Sequence, residues 1–221
     1  MASVLFVVTA AQSWILRDGT AHPTGFWAEE LLEPYRVLTS AGHSVSIATP
    51  GGVVPLADPA SVQEGDAAAI AAIPALTAPL VLADVDPAAF DAVFYPGGHG
   101  PMQDLATDPD SAALIVATLD AERPLAAVCH GLAALLAARD AAGEPVITGR
   151  RLTGFSDEEE RQAGLAERAP FLLESELRAR GAVVDVAAPW SDHTVVDGSL
   201  ITGQNPQSSA SVARLLADAV A

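Results

Sequence analysis

No lysine occurs among the 221 residues, so all 11 basic side chains are arginine, set against 28 Asp and Glu. That absence excludes a Schiff-base lysine and the phosphate-gripping lysine of a Walker loop. A formal net charge of −17 likewise disfavours nucleic acid or an anionic membrane as partner, because phosphate binding depends largely on cationic side chains. Only one cysteine is present, Cys129, so no intrachain disulfide can form, and no Cys/His spacing matches a structural zinc site. A free thiol fits a reducing, cytoplasmic setting. No apolar run reaches the roughly 20 residues that span a bilayer, since Asp, Glu, Arg or Pro interrupts each one. The opening MASVLFVVTAAQS has no basic leader and reads as a first buried strand rather than a secretory signal. Internal repeats and long linkers are also missing, and residues 1–221 are expected to form one domain.

What is present alternates. SVLFVV and AVFYPGG are short apolar runs that end in polar or glycine-rich loops, and LAAVCHG ends in the cysteine turn. Such runs suit strands buried on both faces of a parallel sheet. Between them lie helical patterns over Trp27 to Ala41 and Asp110 to Ala121, closed by Gly42 and by Arg123-Pro124. The alternation predicts a single-domain α/β fold, a doubly wound, mostly parallel sheet with helices on both faces. Gly42 to Ile47 reads as turn and strand, and residues 62–80 are Ala-rich and less defined. VVDGSLITG reads as a hairpin turning at Asp197-Gly198, and QSSASVARLLADAVA as a closing helix with serine at its start.

A strand stopping at Val128 and a helix starting near His130 put Cys129 on the tight connection. Small neighbours, Ala127 and Gly131, match the plan of a nucleophile elbow, in which a strained turn lifts the nucleophile out of the sheet. A helix N-terminus there is expected to stabilise a thiolate and lower its pKa. The bland alternative is a small buried hydrophobe, the fate of most lone cysteines. The YPGGHG loop, Tyr95 to Gly100, follows what should be the adjacent strand, and its glycines let backbone N–H groups approach a ligand. In an open α/β sheet, ligands bind outside the carboxyl ends of the strands, where both turns lie. The bland alternative for the acidic run SDEEERQAGLAE is a solvated helix face, and His22 and His43, in turn contexts, and His193, ahead of an expected strand, read as structural or exposed.

Several motifs in one order resemble the ThiJ/PfpI superfamily, which shares its flavodoxin-like fold with class I glutamine amidotransferase domains: HPTGFWAEELLEPY, ATPGG, FYPGGHGPMQDL, AAVCHG, LTGFSDEEE, PFLLESEL and LITGQNPQSS. Within it, the chain is similar to the branch of heat-shock chaperones and glutathione-independent glyoxalases (glyoxalase III). The resemblance implies Cys129 as nucleophile, His130 as its partner and Glu160 as the acid orienting that histidine. It implies Glu30 as the carboxylic acid beside the sulfur, whereas Glu29 points about 100° away on the same helix. Gly98 and His130 would supply oxyanion N–H groups and Gly97 would shape the loop. His99 would either touch substrate or pack against a neighbouring strand, and no metal ligand is expected. Leu132 stands where the branch often has proline, and Gln103 where a bulky aromatic is common.

The implied reaction converts methylglyoxal, or a related small reactive carbonyl, to a 2-hydroxy acid through a Cys129 hemithioacetal, without metal, nicotinamide or glutathione. A cysteine-dependent amidase or peptidase would use the same thiol for acyl transfer. A holdase chaperone with unfolded client proteins, or a cysteine redox sensor, is a different class of function. A homodimer is implied by the resemblance alone.

Overall fold

Chain segments that are apolar on both faces become the interior of the central sheet. The computed structural model describes all 221 residues, Met1–Ala221. Seven strands form the sheet: β1 (Ser3–Val7), β2 (Ser44–Thr49), β3 (Leu80–Val81), β4 (Ala92–Tyr95), β5 (Leu125–Val128), β6 (Thr194–Asp197) and β7 (Leu200–Gly203). Their spatial order is β6-β7-β5-β4-β1-β2-β3. Every pairing is parallel except β6 with β7, where Val195 faces Thr202 and Gly198 turns the hairpin at φ +60°. All residues of β4, β5 and β7 are buried, as a sheet covered on both faces requires. Phe6 of β1 and Phe94 of β4 meet at its centre, with ring centroids 4.7 Å apart.

Four helices matter for the site: α1 (Ala28–Ser40), α2 (Pro109–Asp120), α3 (Asp157–Ala163) and α4 (Ser209–Ala219). Helix α1 packs against α4. It follows β1, and α2 follows β4, and the chain steps from β1 toward β2 in one direction and from β4 toward β5 in the other. Right-handed crossovers therefore place α1 and α2 on opposite faces. The doubly wound reading stands, and its switch point is the β1/β4 pair, whose carboxyl ends open into a crevice. No helix is long and apolar enough to cross a membrane.

Three local expectations change. The closing helix has no serine cap, because the Ser208 hydroxyl donates to Asn205 Oδ1 (3.1 Å) and accepts from the His193 amide (3.1 Å). His22 sits on the short strand Ala21–Pro23 rather than in a turn. The acidic run is a solvated face only in part: Glu158 is exposed, while Glu159 and Glu160 are buried.

Candidate active site

Strand β5 ends at Val128, and the chain enters a 3₁₀ helix, Cys129–Leu136, through a Cys129 with φ +56°. Left-handed backbone in a non-glycine residue is uncommon and strained, as a nucleophile elbow requires. A side chain at Gly131 would run into the Tyr95 carbonyl, so the strand-to-helix turn can close only over glycine. A β-carbon on Gly97 would lie 2.6 Å from Glu30 Oε2 and 2.8 Å from the His130 nitrogen. The two loops are therefore pressed together around the thiol.

Glu30, in the first turn of α1, is wholly buried and accepts a 2.6 Å bond from the Gly97 amide through Oε2. Its Oε1 makes no hydrogen bond, and Cys129 is the neighbouring side chain that bears on its titration. Burial pushes the Glu30 pKa up to about 8, against the lowering effect of Cys129 and the Gly97 amide. This carboxyl is protonated near neutral pH. Glu29, one residue away, is exposed.

Cys129 is only 3% exposed. Burial first, and then the Glu30 carboxylate, push its thiol well above the ordinary range, while the His130 and Gly98 backbone amides pull it down. The expectation of a lowered pKa at the turn is corrected on these grounds: desolvation and a neighbouring acid outweigh two amides at the head of a short 3₁₀ segment. Thiol and carboxyl form one titrating pair, and protonating Glu30 removes the charge that opposes the thiolate.

On the other side of the sulfur, His130 Nδ1 lies 3.3 Å from Sγ, and its Nε2 lies 2.8 Å from Glu160 Oε2. His99 Nε2 lies 3.0 Å from the second oxygen of the same carboxylate. Burial alone would raise the Glu160 pKa, but the hydrogen bonds it accepts from His130 and His99 outweigh it and hold the carboxyl below the usual range. An ionised carboxylate can only accept, so both Nε2 atoms carry hydrogen and His130 turns a bare Nδ1 toward the sulfur. Burial, aided by His99, lowers the His130 pKa and keeps the ring neutral at rest. The His99 ring is stacked on Trp14, with centroids 5.1 Å apart, and packs on His130 at 4.1 Å. Its Nε2 is thus committed to Glu160, while the residue still lines the cavity.

The donor atoms of His99, His130 and Glu160 lie within 4.8 Å of one another, a set able to hold a metal ion. A metal there would replace both Nε2–H bonds to Glu160, the contacts that turn His130 Nδ1 toward Cys129.

Cys129, His130, Gly98, His99, Trp27, Phe155 and Trp190 enclose a cavity of about 60 Å³. A larger open depression of about 630 Å³, near Pro124, Arg150 and Gly198, holds no nucleophile. The structure thus brings Cys129, His130, Glu160, Glu30, Gly97, Gly98 and His99 to one place. Neither Leu132 nor Gln103 lines the cavity: Leu132 is buried below Gly154, and Gln103 accepts from the Ile15 amide at 2.9 Å.

Several contributors escaped the sequence reading. Glu159 accepts from the Ser156 amide (2.9 Å), the Trp190 amide (2.8 Å) and Asn205 Nδ2 (2.8 Å). Its Ser156-x-x-Glu159 spacing is a capping-box signature, which the structure realises and which could have identified it. Trp27, Phe155 and Trp190, which line the cavity, and Trp14, which stacks on His99, carry no comparable local signal, because long-range packing places them there.

Glyoxalase 3 of Candida albicans is 28% identical to this chain over 228 residues, spanning 96% of each. A crystal structure of glyoxalase III from that organism matches with a TM-score of 0.87 at 28% identity, covering 99% of this chain and 97% of its own. The glutathione-independent glyoxalase hsp3101 of Schizosaccharomyces pombe is 32% identical over 228 residues, covering 95% of this chain and 92% of its own. An X-ray structure of Rapid Encystment Protein 24 kDa from Francisella tularensis matches with a TM-score of 0.91 at 30% identity, with both chains fully covered. Residues 22–219 match the model of the DJ-1/PfpI family, and the chain belongs to that family.

Proposed function

We propose that the protein is a glutathione-independent glyoxalase, converting methylglyoxal or a related small 2-oxoaldehyde to a 2-hydroxy acid on Cys129. The observation that carries this reading is Glu30, a carboxyl with its pKa raised to about 8, sealed beside the thiol. Acyl transfer to water needs one base, and His130 suffices for it. Moving a proton between two carbons of a bound dicarbonyl needs a second group able to give and take protons near neutral pH, which Glu30 provides. Relatives named as glyoxalases, alike over nearly the whole chain, support the same reading.

His130 Nδ1 takes the thiol proton as Sγ bonds to the aldehyde carbon C1, and Glu160 stabilises the imidazolium. The former aldehyde oxygen lies toward the Gly98 and His130 amides and becomes a hemithioacetal hydroxyl by taking a proton from His130. A base then removes the C1 hydrogen, the C1–C2 enediol forms, and a proton is delivered to C2. Glu30 and His130 are the candidate carriers. Collapse restores a carbonyl at C1 as a Cys129 thioester and leaves a hydroxyl at C2. Water adds to the thioester, the C–S bond breaks, and the thiol regains its proton as the 2-hydroxy acid leaves. The net change is addition of one water, with C1 oxidised and C2 reduced.

A cytoplasmic site of action and a homodimer belong to the same reading. A redox-sensing role draws less support, since a buried thiol with a raised pKa oxidises slowly. The test offers purified protein methylglyoxal without glutathione, alongside amide and ester panels. Loss of the dicarbonyl that disappears in Cys129→Ala is expected. Cleavage of amides with the dicarbonyl untouched would replace this reading with the hydrolase.

A further inference from the structure

We propose that Trp190 is the outer wall and size filter of the Cys129 cavity, restricting the site to 2-oxoaldehydes of two or three carbons. Among the aromatic walls, Trp190 is the most exposed, at 39%, Trp27 is half-buried, and Phe155 behind the indole is 5% and Cys129 3% exposed. Its backbone stands at φ +62°, a conformation rare for a bulky side chain. Such strain persists only where the surroundings hold it.

The holding contacts come from α3 and its neighbours. The Trp190 amide donates to Glu159 Oε1 at 2.8 Å, and that oxygen also accepts from Asn205 Nδ2 at 2.8 Å. Asn205 in turn donates to the Ser191 carbonyl at 2.9 Å, fixing the segment just beyond the tryptophan. The indole Nε1–H donates to Gln162 Oε1 at 2.6 Å, and the ring meets Phe155 edge-on with centroids 5.6 Å apart. Phe155 then packs on His130 at 4.3 Å. Glu159 and Glu160 are consecutive residues of α3 that point about 100° apart. One anchors the wall and the other anchors His130, so the outer boundary and the histidine are positioned by a single turn of helix.

A cavity of about 60 Å³ admits a handful of heavy atoms. A three-carbon dicarbonyl bonded to Sγ fits this room, and a phenyl substituent would have to displace the indole. The identity of the substrates rests on the glyoxalase reading, but the filter itself does not.

Two variants test it. Trp190→Gly removes the indole at a backbone position that glycine adopts without strain. Gln162→Ala keeps the tryptophan and releases its ring. Each is compared with wild type in two ratios: kcat/KM for phenylglyoxal over methylglyoxal, and the rate of Cys129 alkylation by N-phenyliodoacetamide over iodoacetamide. Both ratios are expected to rise about tenfold or more in Trp190→Gly, and in the same direction but less in Gln162→Ala. If wild type handles bulky and small reagents alike, or neither variant moves either ratio, the assignment is overturned. An alkylation ratio that rises in a protein turning over neither dicarbonyl would keep the wall and overturn the substrate class.

Discussion

Glu30 and Glu160 flank the same thiol and histidine, yet their environments drive them apart. Glu160 receives two imidazole N–H bonds and stays ionised, whereas Glu30 receives one amide, is otherwise sealed in protein, and holds its proton up to about pH 8. Separation of this kind assigns acid and base roles to chemically identical groups. Glu30→Gln removes the neighbouring charge that, after burial, raises the Cys129 pKa, so the midpoint of thiol alkylation against pH should move to lower pH. A midpoint that stays or rises would refute the coupling. The same group governs stability. Below its unfolded value of 4.5 both states hold the proton and folding bears no penalty; as pH rises toward about 8 the unfolded state ionises first and stability falls. The swing is about 5 kcal/mol at most, and urea melts of Glu30→Gln should be flatter over that range. His99 acts through Glu160. Losing it frees Oε1 and lets the carboxylate turn, so His99→Ala should lower kcat roughly tenfold with less effect on KM, read from steady-state kinetics.

The turns and helix ends around the site separate what local sequence can reveal from what it cannot. The apolar runs SVLFVV, AVFY and LAAV mark three central strands, because burial on both faces removes any polar alternation. The Cys129 elbow was legible from its small neighbours. The thiol's raised pKa was not, since it depends on burial and on an acid almost a hundred residues earlier in the chain. Ser208 looked like a helix cap, but His193 and Asn205, distant and near in sequence, claim its hydroxyl. Glu160 was identified through resemblance, and Glu159 was hidden in the same acidic run, although its capping-box spacing was readable. At this scale Gly97→Ala is the decisive substitution. Its methyl would press on Glu30, the His130 amide and the Val128 carbonyl at once. A loss of about 1–3 kcal/mol of stability is expected, with turnover falling further than stability explains; wild-type kinetics in a folded Gly97→Ala protein would contradict the packing described.

Across the whole molecule, the doubly wound sheet puts the carboxyl ends of β1, β4 and β5 side by side at one edge, where the thiol lies. The excess of acid is spread over the molecule as self-repulsion: with a formal charge of −17, added salt should screen it and raise the melting temperature. A melting temperature that falls with sodium chloride would show that specific ion pairs outweigh the general field. The central claim is that Cys129 turns over a 2-oxoaldehyde without glutathione. Its most direct test is enantiomer-resolved lactate from methylglyoxal, measured for wild type, Cys129→Ala and Glu30→Gln. We expect one enantiomer in excess from wild type, none above background from Cys129→Ala, and a severe loss in Glu30→Gln. Equal lactate from wild type and Cys129→Ala, or none from a folded wild type whose thiol still alkylates, would contradict it.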